Sequence, residues 1–114
     1  LNPAKFVHLN SGKRYSVESW PMHKQVHAVA GVGNPNRFFD LLSRLGFEFD
    51  KSPFPDHHKY NKRDLYFLDH LPILMTEKDA AKCKHFNNSK IWYLSIEAKI
   101  ESQFIDRLEE KIND

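Results

Sequence analysis

In Gln25-Val26-His27-Ala28-Val29-Ala30-Gly31-Val32-Gly33-Asn34-Pro35-Asn36-Arg37-Phe38-Phe39-Asp40-Leu41-Leu42-Ser43-Arg44-Leu45-Gly46, a short apolar strand runs through a tight turn into an amphipathic helix. Gln25 to Ala30 is the strand, and Gly31-Val32-Gly33 makes the turn. Asn34 can cap the helix, and Pro35 suits its first turn, where the missing N–H would be unpaired in any case. Phe38, Leu41, Leu42 and Leu45 fall at i, i+3, i+4 and i+7 and so share one helical face. Gly46 supplies the left-handed stop.

The same strand-then-helix grammar continues downstream. Phe47-Glu48-Phe49-Asp50 alternates like a strand. Pro53-Phe54-Pro55-Asp56-His57-His58 reads as a loop because its prolines exclude a helix, and a modest helix is expected around Lys62–Asp69. Pro72-Ile73-Leu74-Met75 reads as a buried strand, followed by a helix that Thr76 can cap, with Asp79 at its third position. Ala80, Ala81 and Cys83 are small enough for close packing on a sheet. Ile91–Ile96 forms the last strand, with Phe104, Ile105, Leu108 and Ile112 at helical spacing after it. Upstream, Lys5–Leu9 and Arg14–Val17 flank Asn10-Ser11-Gly12-Lys13, which reads as a hairpin. Trp20-Pro21 then breaks the pattern. The expected organisation is a β-hairpin linker region over residues 1–20 and an α/β lobe over 21–114. Alternating strands and helices imply a mainly parallel sheet flanked by helices.

Composition limits the alternatives. The chain has 114 residues, 40% hydrophobic and 28% charged, with nine Phe, four Tyr and two Trp. That suits one packed domain and argues against global disorder. A net charge of +2 gives no case for nucleic acid or a membrane surface by itself. Cys83 is the only cysteine, which excludes a disulfide scaffold. The longest apolar run, Leu71–Met75, falls far short of the about 20 residues of a spanning helix. No signal peptide opens the sequence. It begins Leu-Asn-Pro without Met, so a piece of a longer protein is expected.

In parallel sheets, ligands sit beyond the carboxyl ends of the strands. That rule selects three loops: Gly31–Asn34, Pro53–His58 and Thr76–Asp79. Gly31-Val32-Gly33 is partly like a dinucleotide-binding turn, but Asn36 stands where the third glycine belongs. Two readings remain for it: a sharp turn, or a helix N-terminus that holds a phosphate or carboxylate. Asp56-His57-His58 is the most reactive-looking triplet. A histidine can move protons at neutral pH, and a neighbouring carboxylate can orient it; the plain alternative is an exposed polar loop. In Thr76-Glu77-Lys78-Asp79, Lys78 opposes the helix dipole. It either meets a phosphate or carboxylate or belongs to a charged surface turn. His23 and His27 are four apart, a ligand spacing only on a helix, and they enter a strand. No Cys/His spacing typical of zinc occurs. A Gly-x-x-x-x-Gly-Lys-Ser/Thr phosphate loop and a Gly-x-Ser-x-Gly elbow are both missing.

Three stretches together resemble one family. His27-Ala28-Val29-Ala30-Gly31-Val32-Gly33-Asn34-Pro35-Asn36-Arg37-Phe38-Phe39, Phe54-Pro55-Asp56-His57-His58, and Met75-Thr76-Glu77-Lys78-Asp79-Ala80-Ala81-Lys82-Cys83 resemble the C-terminal part of the tetraacyldisaccharide 4′-kinases, the lipid A 4′-kinases. Trp92-Tyr93-Leu94 and Glu97-Ala98 resemble the family's last strand. The resemblance implies the C-terminal lobe of a P-loop-kinase-like enzyme of two α/β lobes. Such enzymes move the γ-phosphate of ATP, with Mg²⁺, to the 4′-hydroxyl of a tetraacylated glucosamine disaccharide lipid. They work at the cytoplasmic face of the bacterial inner membrane. The resemblance places the phosphate loop, the metal-binding acids and the membrane contact in an N-terminal lobe outside these residues. This piece alone is then expected to be inactive, with neither ATP nor Mg²⁺ bound to it. His57 matches the family's histidine that supports a catalytic aspartate across the cleft, and Asp56 would fix its loop or ring. Gly31, Gly33, Asn34, Thr76, Glu77, Lys78 and Asp79 would line the substrate cleft. The competing reading is a non-enzymatic anion-binding or docking α/β domain.

Overall fold

The structure is a computed structural model, and it describes residues 4–96. Six strands and two helices follow in the order β1 (Ala4–His8), β2 (Arg14–Ser16), β3 (Gln25–Ala30), α1 (Pro35–Arg44), β4 (Glu48–Pro53), β5 (Ile73–Thr76), α2 (Glu77–Ala81) and β6 (Ile91–Ile96). They form one sheet in the order β2-β1-β6-β5-β3-β4. The pairs β3·β4, β3·β5 and β5·β6 are parallel. β1 is antiparallel to both β2 and β6. This is the mainly parallel α/β sheet with an N-terminal hairpin that the alternation implies. The hairpin is continuous with it, since β1 pairs with β6 from Ala4↔Ile96 to His8↔Trp92.

Period two along the central strands builds two cores. Val26, Ala28, Ala30 and Leu74 face one side, where Phe38, Phe39, Leu41 and Leu42 of α1 cover them. Val29, Ile73 and Met75 face the other, against Tyr60, Leu65, Ala80 and Cys83. β3 is therefore buried on both faces, which explains its nearly unbroken apolar sequence. Phe6, Trp20, Phe47 and Trp92 meet edge to face at 4.9–5.6 Å and bind the hairpin to the α1 side.

Several boundaries differ from expectation, each for a physical reason. β4 extends through Pro53, because it is an edge strand where a missing N–H costs no ladder bond. The helix expected over Lys62–Asp69 is only a 3-10 turn, Lys62–Leu65. Beyond it the chain extends so that Phe67 can stack on His27 at 3.8 Å and Asp69 can reach the same ring. Asn34 occupies the N-cap position of α1 but makes no side-chain capping bond. Ala80 and Cys83 are buried as their size suggests, whereas Ala81 is exposed. Gly46 takes φ +90°, the left-handed stop. Phe104, Ile105, Leu108 and Ile112 lie outside the described residues.

Candidate active-site cleft

β3, β4, β5 and β6 run parallel, so the turns leaving their carboxyl ends gather along one edge of the sheet. A groove of about 710 Å³ opens between the turn after β3 and the turn after β5. Val32, Phe38, Leu94 and Ile96 give it an apolar floor, and Asn34, Glu77 and Lys78 form a polar rim. Glu77 accepts a hydrogen bond from Ser95 Oγ at 3.1 Å. Two of the three stretches selected from sequence thus share one groove.

Asp79 stands apart from its neighbours. It is fully buried, whereas Glu77 and Lys78 are exposed. Its Oδ2 accepts the Gly31 N–H at 3.0 Å and the Thr76 Oγ1–H at 2.6 Å. Its own N–H donates to Thr76 Oγ1 at 3.1 Å, which is the predicted cap of α2. Burial, and then the facing Asp79 charge, push the Tyr60 phenol well above its ordinary value. Burial likewise pushes the Cys83 thiol up to about 11, with Asp79 adding to the effect. Tyr60 is a member of this cluster that the sequence reading missed. No local pattern marks it, because its partners are Gly31 and Asp79 rather than its chain neighbours.

The third loop brings Asp56 close to the first. A Cβ on Gly33 would lie 3.5 Å from Asp56 Oδ2. The two adjacent histidines have opposite environments. His58 stacks on Phe54 at 4.4 Å and hydrogen-bonds Asp64 Oδ2 at 2.9 Å. Asp64 in turn closes a capping box with Asn61. Desolvation pushes the Asp64 carboxyl up, but the Asn61 N–H and His58 outweigh it and hold it below its ordinary value. His57 is 84% exposed at its side chain, with Nε2 3.6 Å from Asp56 Oδ2. Its φ is +63°, in the left-handed region that few non-glycine residues adopt.

Two other clusters are structural. His27, given no weight as a ligand from sequence, is buried and bonded through Nε2 to Asp69 Oδ2 at 2.8 Å. His8 bridges Ser11 Oγ and the Ser89 carbonyl, each at 2.6 Å. Among the described residues, no three His, Cys, Asp or Glu side chains converge on one point.

The model of the tetraacyldisaccharide-1-P 4′-kinase family matches residues 1–113. The chain belongs to this family. A tetraacyldisaccharide 4′-kinase of Ectopseudomonas mendocina is 44% identical over 112 residues, 98% of this chain and 34% of the relative. The Alcanivorax borkumensis kinase of the same name is 51% identical over 87 residues, 76% of this chain and 27% of the relative. The chain thus spans about a third of the length of the curated relatives it matches. In fold it is similar to a crystal structure of LpxK from Aquifex aeolicus in complex with ATP. That likeness has a TM-score of 0.54 and 21% identity, and covers 92% of this chain and 35% of that one.

Proposed function

We propose that this chain is the C-terminal lobe of an ATP-dependent kinase. The whole protein transfers the γ-phosphoryl group to the 4′-hydroxyl of tetraacyldisaccharide 1-phosphate at the cytoplasmic face of the inner membrane, in lipid A biosynthesis. Family membership supports the reaction, and the one-third coverage of relatives supports a second lobe. In this division of labour the N-terminal lobe brings the phosphate loop, Mg²⁺ and the base, and this chain alone is inactive.

The observation that carries the site assignment is the exposure of His57. Phosphoryl transfer depends mainly on positioning and charge stabilisation, while a carboxylate accepts the proton of the attacking hydroxyl. A histidine that donates an N–H to that carboxylate fixes its orientation and tunes its basicity. His58 is engaged by Phe54 and Asp64 within its own lobe, whereas His57 is exposed beside Asp56, on the loop that passes Gly33. His57 is therefore assigned as helper of a base in the other lobe, with Asp56 beside it. Asn34 and Thr76 to Lys78 form this lobe's wall of the cleft, whereas Gly31 is buried behind it and Gly33 faces Asp56.

His57→Ala in the full-length protein is expected to lower kcat for 4′-phosphorylation by about ten-fold or more, within the range of general-base support. Unchanged turnover would remove the assignment. Tight ATP binding by the 114-residue chain alone would overturn the division between lobes.

A further inference from the structure

We propose that Asp79 is a positioning residue: its buried carboxylate ties the β3–α1 turn to the β5–α2 turn and so fixes the spacing of the cleft wall. The proposal rests on the kinase reading above and gives that wall a working part.

One carboxylate oxygen serves two loops. Oδ2 accepts from the Gly31 N–H and from the Thr76 hydroxyl, while Gly31 and Asp79 lie 48 residues apart in sequence. Capping α2 requires only Thr76 Oγ1, which already accepts the Asp79 N–H. The carboxylate is thus more than the cap needs. It is also costly, because it is fully buried and Oδ1 has no hydrogen-bond partner. Lys82 Nζ faces that oxygen at 4.0 Å. What a neutral or apolar group would not reproduce is the charge-assisted tie between the turns.

The third loop passes the same point. A Cβ on Gly31 would lie 2.8 Å from Tyr60 Oη, 3.3 Å from Asp79 Oδ1 and 3.3 Å from the Pro55 carbonyl oxygen. Pro55 immediately precedes Asp56 and His57. Gly31 thereby brings the His57 loop against the Asp79 tie.

The test uses the full-length protein. Asp79→Asn keeps the side-chain size and removes the charge. We expect kcat to fall about ten-fold or more while KM for ATP stays within about two-fold, because only alignment is lost. Exchange of the Gly31 amide hydrogen should accelerate about ten-fold or more. A purely structural role would change exchange or melting and leave kcat intact, and that result overturns the proposal. Should Asp79→Asn fail to fold, Thr76→Val removes one donor to the same oxygen and leaves the Gly31 bond. It is expected to lower kcat at least about three-fold with ATP KM unchanged, and an unaltered kcat overturns the proposal equally. His57→Ala is run in parallel. No effect there with a loss in Asp79→Asn removes the His57 assignment and keeps the tie. The reverse pattern keeps His57 and removes the tie. A full-length protein with no phosphoryl transfer overturns both.

Discussion

At Gly31 the chain has no room for a methyl group, whereas Gly33 has ordinary clearance toward Asp56. Neither glycine has a positive φ, so neither is required by its backbone conformation. Gly31→Ala is expected to destabilise the protein by about 1–3 kcal/mol through overpacking. Gly33→Ala should stay within about 0.5 kcal/mol. Equilibrium urea unfolding of the two variants checks the contrast, and equal effects would contradict the packing described for Gly31. Sequence alone exposes the glycine pair but not this difference, because Tyr60, Asp79 and Pro55 reach Gly31 from distant parts of the chain. The adjacent histidines teach the same lesson. Asp56-His57-His58 is visible as a reactive triplet, yet which ring is free depends on Phe54 before it and Asp64 after it. Only the family resemblance distinguished His57 beforehand.

Elements were legible where local signals agreed and illegible where distant contacts outweighed them. α1 has Pro35 at its start, Phe38, Leu41 and Leu42 buried on one face and Gly46 at its stop, and it forms as expected. Lys62–Asp69 carries a start signal at Asn61 but no stop signal, and Phe67 and Asp69 engage His27, which leaves it extended beyond Leu65. What remains there is held by the Asn61–Asp64 capping box, with the Asp64 N–H donating to Asn61 Oδ1 at 3.1 Å and the Asn61 N–H to Asp64 Oδ2 at 2.9 Å. Asp64 is also the partner of His58, so this short turn anchors the far end of the His57 loop. Asn61→Ala is expected to cost about 0.5–2 kcal/mol in chemical denaturation, the usual range for a lost cap. Amide exchange should quicken first in the loop from Phe54 to Asp64, since local opening needs only the anchor to release. Protection unchanged in that loop would show that the turn does not hold it.

Across the whole molecule, the titrating groups set opposite limits on stability. Asp64 and Asp69 both have folded-state values below the ordinary 3.8. For Asp69 the Leu71 N–H dominates, against desolvation and with help from His27 and Lys90. The native state therefore binds fewer protons than the unfolded chain near that pH. Their contribution is present above pH 3.8 and is lost as pH falls through the lower folded values. On the alkaline side the sign reverses. Cys83 moves from 9.0 to about 11 on folding, and Tyr60 lies above its ordinary 10.0. The native state keeps protons that the unfolded chain has released, so stability falls as pH rises above about 9. Cys83 alone contributes on the order of 2 kcal/mol to this loss, given its full burial and a shift of about two units. Both alkaline groups face Asp79, while the acidic groups lie on the loops around His58 and His27. Urea midpoints measured against pH should therefore form a plateau with two shoulders of different origin. Cys83→Ala is expected to weaken the alkaline shoulder, most of all between about pH 9 and 10 where Tyr60 does not yet contribute, and to leave the acid one in place. Loss of the acid shoulder in that variant, or an alkaline shoulder unaffected by it, would contradict the buried protons assigned to Cys83 and Tyr60.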